Sequence, residues 1–106
     1  MITRQDCLRD NMPGIALLSD MCSGHDCFGG RVNDTASTDV FVEGRGVHRQ
    51  TDHWTTHTCN NDSHDSILAV GSTSVFINGL GCGRIGDAIE CGSIIATGSS
   101  TVLAGD

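Results

Sequence analysis

Six cysteines and five histidines in a chain of 106 residues are the side chains with the most chemistry to offer. Thiolate sulfur and imidazole nitrogen are the donors that tetrahedral zinc takes, four at a time in a closed site. Three of these residues recur at nearly one distance behind an aspartate. His25 lies five residues beyond Asp20, His57 five beyond Asp52, and Cys91 four beyond Asp87. A fourth donor, His64, follows His57 by seven residues. If the segments that carry them are related by symmetry, these side chains converge, and His25, His57, His64 and Cys91 form a site of three histidines and one cysteine.

Other residues compete for that role. Cys22 and Cys27 flank His25, and Cys59 sits two residues past His57, so any of the three could replace one of the four. The preferred reading for them is small buried apolar side chains, a role free cysteine often takes. His48 takes the place of Gly83 in the sister copy and His53 directly follows Asp52; neither sits at the converging loop position, and both are expected at the surface or beside the ligands. Asp26, Asp62, Asp65 and Glu90 lie near the four donors in sequence. Such carboxylates can act as bases beside an open metal, and more often they orient ligand histidines or are solvated. A closed four-donor site leaves no position for an activated water.

The elements that must position these donors follow from a repeat. Residues 40–52 align with residues 75–87 at a constant offset of 35, with six of thirteen pairs identical: Val, Phe, two Gly, Arg and Asp. Each copy reads as a β-hairpin. Val40-Phe41-Val42 and Val75-Phe76-Ile77 favour strands. Glu43-Gly44 and Asn78-Gly79 supply two-residue hairpin turns. The return strands run through Arg49 and Arg84 to Asp52 and Asp87. A third copy is split. Gly98 to Gly105 resembles the first strand of a hairpin, and Gly14 to Asp20 resembles the return. The sequence therefore predicts an all-β domain in which the two ends lie side by side and close a pseudo-threefold set of hairpins. No stretch carries helical periodicity.

The composition excludes several classes. A net charge of −7 repels phosphate backbones, so no nucleic-acid partner is expected. The longest apolar runs are four residues, Ile15 to Leu18 and Ile67 to Val70, too short to span a bilayer. Met1 to Asn11 lacks the apolar core of a secretory signal. Without one the cysteines are expected to be reduced, which favours metal ligation over a disulfide framework. No Walker A sequence, Rossmann fingerprint or nucleophile elbow is present.

These motifs together carry a family resemblance. Met12-Pro13-Gly14-Ile15-Ala16 leads to Asp20 and then Gly24-His25. Val40-Phe41-Val42 with Gly44, His48-Arg49, Asp52, Trp54, His57 and Cys59 comes next. His64 follows, then Gly71-Ser72, Val75-Phe76-Ile77-Asn78-Gly79, Arg84-Ile85-Gly86-Asp87 and Cys91-Gly92. The pattern resembles the PAAR-repeat family in its short phage-like form and covers nearly everything from Met12 to Gly105. The resemblance implies a cone of short β-hairpins with zinc near the vertex, held by His25, His57, His64 and Cys91. Iron could occupy the same donors. It also implies a structural, non-enzymatic role: the tip of a phage tail spike or a type VI secretion spike.

The expected partner is one trimeric β-helical spike per tip, with the target cell envelope met on puncture. By itself the chain is expected to be a monomer. It would sit on a virion tail or baseplate, or be assembled in the bacterial cytoplasm and delivered by the secretion apparatus. Residues 1–11 are read as an N-terminal extension and residues 12–106 as the spike-tip domain. The alternatives are a metal-dependent hydrolase using His25, His57 and Cys91 with an open position, or a metal or redox module built on the cysteines. Two departures from the family pattern stand out. Gly46-Val47-His48-Arg49 and Gly81-Cys82-Gly83-Arg84 replace the Pro-Ala-Ala-Arg tetrapeptide, and Ser19-Asp20 and Thr51-Asp52 replace Gly-Asp.

Overall fold

The computed structural model describes residues 12–105. The expectations for residues 1–11, Cys7 included, lie outside the described residues. Within them the chain is all-β and contains no helix. Six short strands pair as three antiparallel hairpins: β1 (Phe41–Val42) with β2 (Arg45–Gly46), β3 (His53–Cys59) with β4 (Asp62–Ile67), and β5 (Phe76–Ile77) with β6 (Leu80–Gly81). The two repeat hairpins share one register, Phe41 opposite Gly46 and Phe76 opposite Gly81. Their turns need positive φ at both central residues, and Glu43-Gly44 (55° and 77°) and Asn78-Gly79 (55° and 81°) supply it.

The split third copy closes as expected. Gly14 pairs with Leu103, the place of Gly46 and Phe41 in the first hairpin. The N–H of Ile15 donates to the Val102 carbonyl, as Val47 does to Val40 and Cys82 to Val75.

Below the hairpins the three copies interlock around an axis. Ala16 N–H donates to the Gly83 carbonyl (2.8 Å), Gly83 N–H to the His48 carbonyl (2.9 Å), and His48 N–H to the Ala16 carbonyl (2.9 Å), a closed ring. A ring of bridges surrounds it: Leu17 with Val47, Arg49 with Cys82, and Arg84 with Ile15. Each repeat thus donates to the next, and a short strand that could not hold alone is satisfied by its neighbours.

The aspartates lock each return strand. Asp20, Asp52 and Asp87 are all buried, and each accepts a bond from the backbone N–H three residues earlier, at Leu17, Arg49 and Arg84. Arg49 and Arg84 add ion pairs to Asp52 and Asp87 at 2.9 and 2.8 Å. Leu17 has no charge to offer, and Arg45 from the next hairpin approaches Asp20 instead, at 3.5 Å.

The core lies in two layers along the axis. Ile15, Leu17, Val47, Cys82 and Ala104 form the layer under the hairpins, with Val40, Val42 and Ile77 packed against it. Ala16, Cys22, Trp54, Leu68, Ile89 and Ile95 form the next, and Cys91 packs on it. His48 corrects the sequence reading. It is neither at the surface nor beside the ligands but fully buried on the axis, with its ring edge-on to Trp54. Its equivalents, Ala16 and Gly83, are small, which leaves room at a crowded axis for one large ring.

Candidate metal centre

Past the second core layer the loops behind the three aspartates come together. The longest of them is the β3–β4 hairpin, turned at Asn60, whose φ is positive (56°). His57 on β3 stands opposite His64 on β4, so both side chains leave the same face. His25 begins a tight turn in which its N–H and carbonyl bond those of Phe28 in both directions. Cys91 sits in the turn between Ile89 and Ser93.

The structure brings together all four residues singled out by spacing. The donor atoms of His25, His57, His64 and Cys91 all lie within 4.8 Å of one another. Nε2 of His64 is 3.0 Å from Nε2 of His25 and 2.7 Å from Nε2 of His57. Imidazole nitrogens this close must share a proton or a cation between them. Zinc bond lengths imply tetrahedral nitrogen–nitrogen edges of about 3.3 Å and somewhat longer edges to sulfur. The four residues therefore form a group that could hold a metal ion.

The surroundings orient these donors. His57 Nδ1–H donates to the Gly29 carbonyl at 2.8 Å, which leaves Nε2 free as the donor nitrogen. Nδ1 of His25 is 3.4 Å from a carboxylate oxygen of Asp26. Phe28 packs its ring 4.4 to 4.9 Å from all three imidazoles and covers one side of the cluster. Burial pushes the Cys91 thiol up, but hydrogen bonds from the Ser93 backbone and hydroxyl, Arg31 and His64 outweigh it and bring the thiol to about 5. The sulfur is thereby held in the form that ligates metal.

The acidic residues near the donors are exposed. Asp26, Asp62, Asp65 and Glu90 all face solvent. Asp65 bonds His53 Nε2 at 2.7 Å rather than a donor histidine, and Asp34 holds His53 Nδ1 at 2.6 Å. His53 is thus a partly exposed residue, away from the donor set. A cavity of about 340 Å³ lined by His64, Asp65, Ser66, Glu90 and Cys91 opens beside the cluster.

The competing cysteines separate. Cys22 is buried in the core, as expected. Cys27 and Cys59 are not buried apolar side chains: they are joined as a disulfide, with Cα atoms 5.5 Å apart. The expectation of wholly reduced cysteines is corrected with them. The pairing follows from the hairpin, which places Cys59 two residues past His57 and next to the turn holding Cys27. Sequence reasoning also missed Phe28 and Arg31. A lone aromatic and a lone arginine, neither repeated in the other copies, carry no spacing signal.

Residues 25–97 match the PAAR motif family. The chain belongs to that family. No curated protein matches it. PAAR proteins are spike-tip proteins, and the match gives this chain a structural role at the tip of a puncturing spike. The matched stretch runs from the first clustered histidine past Cys91. It leaves out residues 12–24 and 98–105, which carry the two halves of the split hairpin. In this PAAR domain the outermost segments therefore complete the symmetry while the matched centre carries the group that could hold a metal ion.

Proposed function

We propose that residues 12–106 form a cap on the blunt end of a trimeric β-helical spike, one chain per trimer. The machine would be a phage tail or a type VI secretion apparatus. The observation that carries this reading is the closed ring of Ala16, His48 and Gly83, built within one chain. A monomer with internal threefold order can meet a true trimer with each hairpin against one spike strand, extending it edge to edge. A homotrimer of tips would duplicate that symmetry.

The hairpin end offers the matching surface. Phe41 and Phe76, equivalent in the repeat, are 58% and 57% exposed, and Val75 and Val102 are also exposed. Their neighbours Val40, Val42 and Ile77 turn inward onto the core. At the other end, His25, His57, His64 and Cys91 would hold one zinc ion and staple loops that have little apolar core of their own. Iron is the competing metal. A closed set of four donors favours this structural role over hydrolysis.

Co-purification with the spike and mass measurement of the complex tests the cap. One tip to three spike chains is expected, and binding should survive a few hundred millimolar salt, because the contact is apolar and main-chain. Phe41→Glu with Phe76→Glu should abolish binding without changing the melting temperature. A 3:3 complex would sink the model.

A further inference from the structure

Arg31 is a buried cation with no carboxylate beside it. It is 6% exposed. Among the described residues no Asp or Glu pairs with it. A charge taken out of water must have its donors satisfied in some other way. Its Nε donates to the Thr55 carbonyl at 2.7 Å, Nη1 to the Cys22 sulfur at 3.0 Å, and Nη2 to the Cys91 sulfur at 3.4 Å. Its own backbone N–H adds a second bond to the Cys22 sulfur at 3.4 Å. The guanidinium carbon lies 5.6 Å from the centre of the Trp54 ring.

These partners lie on three different segments. Cys22 is three residues ahead of His25, Thr55 is two ahead of His57, and Cys91 is itself one of the four donors. We propose that Arg31 is the positioning residue of the metal centre. One guanidinium fixes the Cys91 sulfur by N–H···S donation and ties the His25 and His57 segments to it, with Cys22 as its second sulfur acceptor.

The planar fork explains why arginine stands here. Three donors leave one rigid group in fixed directions, and each finds an acceptor on a different segment. A lysine ammonium could carry the charge but not span the three acceptors. Donation to a ligating sulfur also draws charge from it, so Arg31 shapes the metal–sulfur bond as well as the loops. The proposal deepens the cap reading and rests on its donor set.

The test loads the full chain with zinc and with cobalt(II). Chelator competition gives affinity, and the sulfur-to-cobalt charge-transfer band reports on the Cys91 bond. Arg31→Met keeps the aliphatic stem and removes every guanidinium donor. It should weaken metal binding by about 10–100-fold and shift the band. Arg31→Lys keeps the charge and should lose most of the same affinity. A folded Arg31→Met protein with parental affinity and an unmoved band overturns the proposal. If Arg31→Met does not fold, Arg31→Lys decides, and parental affinity with an unmoved band there overturns it equally. A parent chain that gives no sulfur-to-cobalt band sinks the donor set itself, and the Arg31 role with it.

Discussion

Gly14 pairs with Leu103 from the far end of the described chain, in the register that Gly46 and Gly81 keep with Phe41 and Phe76. At all three places the backbone of another segment runs against the glycine. A Cβ on Gly14 would lie 1.9 Å from the Ser99 carbonyl oxygen, on Gly46 2.3 Å from that of Ser37, and on Gly81 2.6 Å from that of Ser72. Backbone cannot rotate away as a side chain can. Gly14→Ala, Gly46→Ala and Gly81→Ala should therefore each cost of the order of 3 kcal/mol. Gly105, with nothing within 4 Å of its Cβ position, is the control. Gly105→Ala should change denaturant midpoints little. Equal midpoints for all four variants would refute the close-packed ring.

The residue before each locking aspartate has positive φ: Ser19 at 74°, Thr51 at 77° and Gly86 at 94°. Only the third is glycine, and a β-branched residue pays most in that region. Thr51 is exposed, and its backbone bond to the Leu68 carbonyl does not need its side chain. Thr51→Gly should stabilise the chain by about 1 kcal/mol, relief of strain outweighing the added freedom of the unfolded chain. Gly86→Ala should do the reverse. A lower melting temperature for Thr51→Gly would show that the position is not strained.

Such symmetry was legible because each hairpin obeys local rules. Val-Phe strands, Glu-Gly and Asn-Gly turns and a shared Arg and Asp repeat at one offset, and the donors inherit that order. The β3–β4 hairpin was not legible. Its residues are almost all polar, and past the buried Trp54 the inward positions hold His57 and His64 rather than apolar side chains, so no alternation marks it. Cys27 and Cys59 were opaque for a related reason: spacing does not fix cysteine pairing, and only the hairpin brings them together. His48 looked like a surface histidine because its polarity hid its place. Its equivalence to Ala16 and Gly83, both small, was the available clue to the axis.

Two histidines outside the donor set should give opposite pH slopes. Burial lowers the pKa of His48, against the pull of its bond to the Thr35 carbonyl. Below about pH 6.5 the unfolded chain takes up a proton there that the folded chain resists, so stability falls as pH falls, by up to about 1.4 kcal/mol per unit. For His53 the bonds to Asp65 and Asp34 raise the pKa. Its contribution is full below about pH 6.5 and is lost as pH rises through the folded value, and partial exposure holds it to a few tenths of a kcal/mol. Urea midpoints of the parent against His48→Leu and against His53→Gln, from pH 5 to 8, isolate each slope. A His48→Leu variant with the parent's acid slope would count against a neutral His48.

Metal removal should loosen the end that carries His25, His57, His64 and Cys91. One transition metal per chain is expected, and stripping it with a chelator should lower the melting temperature. His64→Ala and Cys91→Ser should bind it much more weakly, whereas Cys59→Ser and Cys22→Ala should keep the stoichiometry. Parental metal content and melting in Cys91→Ser would remove Cys91 from the set.

The Cys27–Cys59 disulfide crosses from the turn after His25 to the end of β3, each cysteine two residues past a donor histidine. It closes a loop with a sequence separation of 32. Chain entropy alone then predicts about 3–4 kcal/mol of stabilisation. The bond needs an oxidising environment, so a tip assembled in a reducing cytoplasm would carry both thiols and gain the crosslink only on leaving it. Reduction should lower the melting temperature by about 10 °C or more. Cys27→Ser with Cys59→Ser should melt like the reduced parent and ignore reductant. Because the crosslink holds the His25 turn against β3, metal should also leave the reduced protein faster. Equal melting of oxidised and reduced parent, with equal metal release, would leave the disulfide without a stabilising role.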